Sequence, residues 1–159
     1  MKKGKYVIIL LVILLDQLVK AAVRSSFEPW ESRDVLGDIF ALTYVQNTGA
    51  AFNMFSGMST LLVVVPLIAM ALGIWYMEKH RSEHWTRPLS LSLVIGGGVS
   101  TILDRAFMGF VTDMFDFHFW PVFNVADIAI CTGCGLLVIY IIKFYGNEEK
   151  ELKTKDSEK

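Results

Sequence analysis

Four long apolar segments dominate the sequence, and each approaches the length that an α-helix needs to cross a lipid bilayer, about 20 residues. They extend over residues 6–23, 61–77, 89–107 and 125–145. A hydrocarbon core offers no water to free backbone groups, so apolar segments cross it as helices. We therefore predict an all-α membrane protein with four transmembrane helices.

The overall composition favours the same class. The 159 residues are 53% apolar and 19% charged, with a mean hydropathy of +0.47, whereas globular domains are about 45–50% apolar and about 25% charged. The sequence contains no basic patch with interleaved aromatic residues, which argues against nucleic acid as a partner. Cys131 and Cys134 form C-x-x-C within the fourth apolar segment, but no second Cys or His pair matches them, so we assign them no chemistry.

Lysine and arginine are distributed unevenly along the chain. Eleven lie at the N-terminus, between the second and third segments, or at the C-terminal end from Lys143 onwards, and four lie elsewhere. Because short basic loops stay in the cytoplasm, we predict that both termini are cytoplasmic. The N-terminal MKKGK and the apolar run behind it would also suit a secretory signal, but three further apolar segments follow, so we interpret the first as a retained span.

The connection at residues 24–60 is predicted to form a small extracellular cap. Its first part, SSFEPWESRDVLGD, has turn formers and amphipathic aromatic residues suited to the membrane interface and to an interfacial helix. Its second part, IFALTYVQNTGAAF, alternates Phe40, Leu42 and Tyr44, which indicates one strand or a pair of strands. At the other end of the chain, residues 147–159 form a mixed-charge tail that we expect to be disordered.

Charged residues interrupt the first apolar segment. Asp16 and Lys20 are four residues apart, so a helix places them on one face, one turn from each other. A charge left alone in hydrocarbon is costly. Two interpretations stay open: a self-neutralising pair with Lys20 extending outwards to the membrane surface, or a structural support or substrate contact beneath an active site.

The third segment combines glycines with a charged end. The run GGG at 96–98 would allow neighbouring helices to approach closely. Asp104 and Arg105 end the segment, and adjacent helical residues point in different directions, so we do not predict a local ion pair between them. The planar guanidinium of Arg105 suits a carboxylate or a carbonyl of a bound chain. In the cap, Asn47 and Gly49 indicate a turn.

Two aspartates carry the strongest indication of chemistry. Asp113 lies in a short aromatic-rich connection and Asp127 opens the fourth segment, so both are predicted at the outer edge of the membrane. Two carboxylates about 3 Å apart share one proton, because like charges at that distance do not both ionise. The pair offers a base for water and an acid for the leaving amide, which suits peptide hydrolysis without a metal or a covalent intermediate.

The same stretch contains alternative groups. Asp116 follows Asp113 by three residues, and His118 is a second candidate base. Composition leaves open a metal site made of Asp113, Asp116, His118 and Asp127, although the spaced histidine pairs typical of zinc sites are missing.

Five motifs, taken together, resemble the lipoprotein signal peptidase family (signal peptidase II), the bacterial membrane aspartyl peptidases. The resemblance extends from about Lys5 to Tyr145. Its motifs are DQLVK at 16–20, NTGAAF at 47–52, DR at 104–105, VTDMFDF at 111–117 and FNVAD at 123–127. Each motif alone is a weak signal, whereas five in the correct order with four apolar segments are specific.

The resemblance implies an enzyme that removes the signal peptide from diacylglyceryl-modified prolipoproteins, before the lipidated cysteine, at the outer face of the bacterial cytoplasmic membrane. Asp113 and Asp127 match the catalytic pair. Substrate-binding or supporting roles are implied for further positions, which are Asp16, Lys20, Asn47, Gly49, Asp104, Arg105 and Asn124. The implied partners are lipidated precursors and membrane lipids, and we expect a monomer without a metal or other cofactor.

Three positions depart from the family's pattern. The family usually has Gly-Asn where Ser100 and Thr101 stand, and Ser in place of Ile128. These departures leave a divergent, weakly active or non-catalytic lipoprotein-binding paralogue as the alternative. A small transporter or proton-relay protein would also place Asp and Lys inside spans, but it needs charges along its whole path, and the second and fourth segments have no interior charge.

Overall fold

The computed structural model describes residues 4–49, 59–79 and 84–145. Its four main helices cover the four apolar segments of the sequence. They are α1 (Gly4–Ser26), α2 (Ser59–Lys79), α3 (Thr86–Met108) and α4 (Val125–Tyr140), which a π-helical turn continues over Ile141–Tyr145. The predicted tail, residues 147–159, lies outside the described residues. So do residues 50–52, which end the predicted strand region.

Three helices are long and apolar enough to cross a membrane, Gly4–Ser26, Thr86–Met108 and Val125–Phe144. The apolar part of α2 is shorter among the described residues, Val63–Tyr76. A mostly helical membrane protein is therefore confirmed, whereas the fourth span stays a prediction.

The first helix shows why its sequence suits a bilayer. Leu10, Leu14 and Leu18 are exposed on its surface, whereas Asp16 and Lys20 are fully buried against other helices. This arrangement is the reverse of a helix in water, where leucine faces the core. It matches a helix whose outer face contacts lipid and whose polar side chains find partners inside the bundle.

Helix α3 packs closely against all three other helices at its glycine run. A methyl group added at Gly96 would lie 2.9 Å from Cβ of Val12 in α1, and one at Gly98 would lie 2.7 Å from the sulfur of Met70 in α2. At Gly97 the added methyl would lie 2.6 Å from the carbonyl oxygen of Ala126 in α4. The predicted close helix approach is confirmed, and successive glycines serve different neighbours.

A three-stranded antiparallel sheet forms the cap, in the order β1 (Ser32–Leu36), β2 (Phe40–Asn47), β3 (Val111–Asp116). A short 3₁₀ turn, Gly37–Ile39, joins β1 to β2. The predicted strand is confirmed as β2. Asp113 lies, as predicted, in the short connection between α3 and α4. That this stretch is a strand was not predicted, because β3 forms by pairing with β2, which is far away in sequence.

The first part of the cap also differs from its prediction. Residues expected to form interfacial turns and a helix include strand β1, and within residues 27–49 the 3₁₀ turn is the one helical element. Val23, Tyr44 and Met114 form a buried apolar cluster that joins the end of α1 to β2 and β3. This cluster fixes the sheet over one end of the helix bundle.

Replacing Gly97 by alanine should lower the melting temperature of the protein in detergent or nanodiscs. The added methyl meets a backbone oxygen at 2.6 Å, which cannot move aside as a flexible side chain can, and such overpacking costs about 1–3 kcal/mol. Gly135→Ala is the matched control, because nothing lies within 4 Å of its added methyl. Equal melting temperatures for the two variants would contradict the packing described.

Candidate active site

A short backbone pairing brings the segment before α4 back alongside β3. Phe115 donates its N–H to the carbonyl of Phe123 at 2.8 Å, and Phe123 donates to the carbonyl of Phe115 at 3.1 Å. Asn124 follows directly and is the N-cap of α4. Its side-chain Nδ2 donates to Oδ1 of Asp113 at 2.6 Å, so the pairing places the start of α4 against the middle of β3.

Asn124 also holds the second aspartate. Its Oδ1 accepts from the backbone N–H of Asp127 at 3.0 Å, and Oδ2 of Asp127 accepts from the backbone N–H of Asn124 at 3.0 Å. This reciprocal pair is a capping box that satisfies free N–H groups in the first turn of α4. One buried carboxamide therefore connects Asp113 and Asp127, which the sequence separates by a loop.

Asn47 supplies the second contact of Asp113 from the sheet. In the β2–β3 register Val45 lies opposite Asp113, and the Nδ2 of Asn47 donates to Oδ2 of Asp113 at 2.9 Å. Its Oδ1 accepts from the N–H of Gly49 at 3.0 Å. The predicted turn at Asn47 and Gly49 is present, and the same side chain orders both that turn and the carboxylate.

Burial, with a smaller contribution from the nearby charge of Asp127, raises the pKa of Asp113 to about 6. The hydrogen bonds from Asn47 and Asn124, together with the charge of Lys20, oppose this shift because they stabilise the ionised form. Asp113 is only 2% exposed, whereas Asp127 is partly exposed. The two carboxyl groups thus differ in their access to solvent.

Arg105 lies at the edge of the pair. Its Nη2 donates to the carbonyl of Gly49, and its charge acts on both Asp113 and Asp127. Its other terminal nitrogen, Nη1, is buried and has no hydrogen-bond partner among the described residues. The hydroxyl of Thr101, one turn earlier on α3, is likewise buried and unpartnered within that part of the chain. Thr101 and Arg105 are four residues apart and therefore lie on one face of α3.

Beneath the pair, Lys20 lies between two carboxylates. Its Nζ is 2.7 Å from Oδ2 of Asp16 and 2.9 Å from Oδ2 of Asp104, and all three side chains are buried. The interpretation that Lys20 extends to the membrane surface is wrong, because it has two anionic partners inside the bundle. Asp16 and Lys20 therefore belong to a buried ion cluster, and their role as a support or substrate contact stays a prediction.

Asp16 joins this cluster to the helix that carries Asp127. Its Oδ1 accepts from the backbone N–H of Ala126 at 2.8 Å, in the first turn of α4. Its Oδ2 accepts from the hydroxyl of Ser100 at 2.7 Å in addition to contacting Lys20. A carboxylate at a helix N-terminus is favourable, since the first N–H groups have no partner in the helix.

Four polar residues were not predicted as part of the site. The Nε2 of Gln17 donates to Oδ1 of Asp104 at 2.9 Å and to the hydroxyl of Ser100 at 3.0 Å. Arg24 donates to the hydroxyl of Thr112 at 3.1 Å, and the N–H of Thr112 donates to Asp104 at 3.2 Å. Gln17, Arg24 and Ser100 could have been found from the sequence, because each is a polar side chain inside or at the end of an apolar segment. No such feature of the sequence singles out Thr112.

The alternative candidates, Asp116 and His118, have partners other than the aspartate pair. Oδ2 of Asp116 accepts from the hydroxyl of Thr43, and its Oδ1 accepts from the backbone N–H of His118. His118 is solvent-exposed, with Nδ1 3.5 Å from Asp116. Across residues 4–49, 59–79 and 84–145, no group of three or more His, Cys, Asp or Glu side chains could hold a metal ion.

Comparison with known protein families gives a match over most of the chain. The family model described as Signal peptidase (SPase) II matches residues 8–143. The chain belongs to the signal peptidase II family. The resemblance inferred from the five motifs is thereby confirmed.

Relatives within the signal peptidase II family are similar over most of their length. Lipoprotein signal peptidase from Halothermothrix orenii is 40% identical over 86% of this chain and 93% of its own. The enzyme of that name from Streptococcus pneumoniae is 40% identical over 86% and 91%. A solved bacterial membrane enzyme has a TM-score of 0.85 and 24% identity, with 91% of each chain covered, so it supports the fold.

Removing the Asn47 side chain should raise the pKa of Asp113 above its value of about 6. The hydrogen bond from Asn47 stabilises the carboxylate, so Asn47→Ala favours the protonated form and the carboxyl titrates at higher pH. Carbon-13 NMR of protein labelled at its aspartate carboxyl groups, titrated in detergent, measures this shift.

Thr43→Val is the control for that titration, because the Thr43 hydroxyl binds Asp116 on the same strand pair. It should leave the titration of Asp113 unchanged. A fall in the pKa of Asp113 in Asn47→Ala, or an equal shift in both variants, would show that Asn47 does not stabilise the carboxylate.

Proposed function

We propose that this protein is an aspartyl endopeptidase that removes the signal peptide from diacylglyceryl-modified prolipoproteins by cleavage before the lipidated cysteine. Membership of the signal peptidase II family supports the reaction class, and the names of the relatives support the substrate class. The observation that carries the mechanism is the link through Asn124 between buried Asp113 and partly exposed Asp127.

In the first step Asp113 is protonated and Asp127 is ionised, with one water between them. Asp127 takes a proton from the water, whose oxygen forms a bond to the carbonyl carbon of the scissile amide. Asp113 gives its proton to the carbonyl oxygen, and a tetrahedral diol results. The raised pKa of Asp113, about 6, favours it as the proton donor, and the exposure of Asp127 gives it access to water.

In the second step the two carboxyl groups exchange roles. Asp127 donates the proton it received to the amide nitrogen, and Asp113 removes a proton from one hydroxyl of the diol. The carbon–nitrogen bond breaks, which gives a carboxylic acid and an amine. The pair ends with the single proton it held at the start, so that proton belongs to the pair rather than to one residue.

Two groups on α3, which have no hydrogen-bond partner among the described residues, suit the substrate backbone. Nη1 of Arg105 can donate to a peptide carbonyl, and the hydroxyl of Thr101 can donate or accept one turn away. Leaving buried polar groups without a partner costs about 1–3 kcal/mol each. A bound peptide would satisfy both groups and hold the scissile bond near the pair.

The proposed topology has four spans, cytoplasmic termini and the active site at the outer face of the cytoplasmic membrane. The excess of lysine and arginine at one end of the segments supports this orientation. The sheet that carries Asp113 and Asn47 then lies outside, at the end of α1 marked by Val23. The acyl chains of the substrate remain in lipid while its peptide enters the site.

The alternative of a non-catalytic paralogue is less well supported than catalysis. Its motivation was the departure at Ser100, Thr101 and Ile128. Ser100 is hydrogen-bonded to Asp16 within the supporting cluster, and Ile128 is 47% exposed on α4. The hydrogen bonds to the two aspartates, from Asn47 and Asn124, remain complete.

Asp113→Asn and Asp127→Asn should each reduce cleavage of a synthetic diacylglyceryl-modified precursor by about 10²- to 10⁴-fold, since each removes one proton-transfer group. Purified full-length protein in nanodiscs, with product separated by gel mobility, measures the rate. Asp116→Asn is the control on the same strand, and it should keep the rate within a few-fold because Asp116 binds Thr43.

The same assay separates the remaining alternatives. A chelator should leave the wild-type rate unchanged, whereas loss of activity that zinc restores would indicate a metallohydrolase. Normal processing by both Asp113→Asn and Asp127→Asn would rule out the aspartyl mechanism. A wild-type protein that binds the precursor without cleaving it would favour the paralogue.

A further inference from the structure

Ser100 makes an unusual set of contacts for a serine in an apolar helix. It is fully buried on α3, its hydroxyl donates to Oδ2 of Asp16 at 2.7 Å, and it accepts from Nε2 of Gln17 at 3.0 Å. A helical serine more often returns its hydroxyl to the carbonyl of its own helix. Here the hydroxyl joins α3 to α1 instead.

We propose that Ser100 is a positioning residue for Asp127, acting through the carboxylate of Asp16 on the first turn of α4. The inference rests on the proposed peptidase function and names a residue whose removal should slow that reaction. Ser100 does not touch the aspartate pair in this scheme. Its effect passes through the hydrogen bonds that connect it to α4.

The connection runs through a series of hydrogen bonds from α3 through α1 to α4. Ser100 holds one oxygen of Asp16, and the other oxygen accepts from the N–H of Ala126 at 2.8 Å. The next residue, Asp127, bonds reciprocally with Asn124, and Asn124 donates to Asp113. A rotation of the Asp16 carboxylate therefore shifts the turn that sets both catalytic side chains.

The hydroxyl is needed because Lys20 cannot orient Asp16 alone. Lys20 carries a rotationally symmetric ammonium group, which it also shares with Asp104 at 2.9 Å, and a point charge fixes distance better than direction. A hydroxyl held by Gln17 adds a directional bond. Without the Ser100 hydroxyl, Oδ2 of Asp16 would have one hydrogen-bond partner fewer. The carboxylate would then rotate, and its Oδ1 would move away from the N–H of Ala126.

The test compares three full-length variants in nanodiscs. Ser100→Ala removes the hydroxyl, Ser100→Thr retains it, and Ser92→Ala is the matched control. Ser92 is also fully buried on α3, but its hydroxyl donates at 2.6 Å to the carbonyl of Pro88 in its own helix. Each variant is assayed for kcat and KM on the lipidated precursor, for melting temperature, and for amide hydrogen exchange.

The expected result is a selective loss in Ser100→Ala. Its kcat should fall about 10- to 100-fold with KM nearly unchanged, since small misplacements of catalytic groups have effects of this size. Exchange should accelerate in peptides covering residues 124–128. Ser100→Thr should retain most of the wild-type kcat. Ser92→Ala should keep the wild-type kcat even if its melting temperature falls as much as that of Ser100→Ala.

Three outcomes with the alanine variants overturn the inference. The first is a normal kcat in Ser100→Ala, and the second is an equal loss of kcat in Ser92→Ala. The third is a fall of kcat in Ser100→Ala without any change of amide exchange at residues 124–128. These results stay distinguishable from failure of the proposed function, because in that case the wild-type protein itself does not cleave the precursor. A Ser100→Thr variant that folds yet is as slow as Ser100→Ala would also overturn it.

Discussion

The buried ion cluster around Lys20 is the interaction on which the rest of the structure depends. Lys20 and Asp16 come from α1 and Asp104 from α3, and all three are enclosed. Breaking a buried pair by removing one partner costs about 3–5 kcal/mol, because the remaining charge is left uncompensated. The two helices are therefore locked in one register, and Asp16 extends the lock to α4 through Ala126. Asp16 and Lys20, which interrupt an apolar segment in the sequence, therefore align three helices.

Close packing of the helices allows these contacts to form. The glycine run of α3 lets three helices approach its backbone, and at Gly97 the neighbour is the carbonyl of Ala126. The same residue of α4 thus meets α3 through its carbonyl oxygen and α1 through its N–H. Because both contacts involve backbone atoms, the first turn of α4 has little freedom. Asp127, one residue later, is carried by this constrained turn.

The two aspartates reach each other from different kinds of structure. Asp113 is carried by a strand and Asp127 by a helix, and Asn124 binds both. Burial raises the pKa of Asp113 to about 6, whereas Asp127 is partly exposed. Two chemically identical groups thus stand in different surroundings. The apolar exteriors of the helices keep this polar centre at the membrane.

The sequence by itself determined the helices, the close approach at the glycines, the strand at β2 and the residues that gather at one end of the bundle. Those features depend on local periodicity and on the cost of placing charge in hydrocarbon, both of which can be followed along a single chain. It did not determine that Lys20 has two partners, that Gln17 and Ser100 support it, or that Asp113 stands in a strand. These facts depend on contacts between residues far apart in the chain, such as Ser100 with Asp16 and β2 with β3. Only the tertiary structure decided them, because a buried polar group is satisfied by whichever neighbour the packing of helices and sheet brings within hydrogen-bond distance.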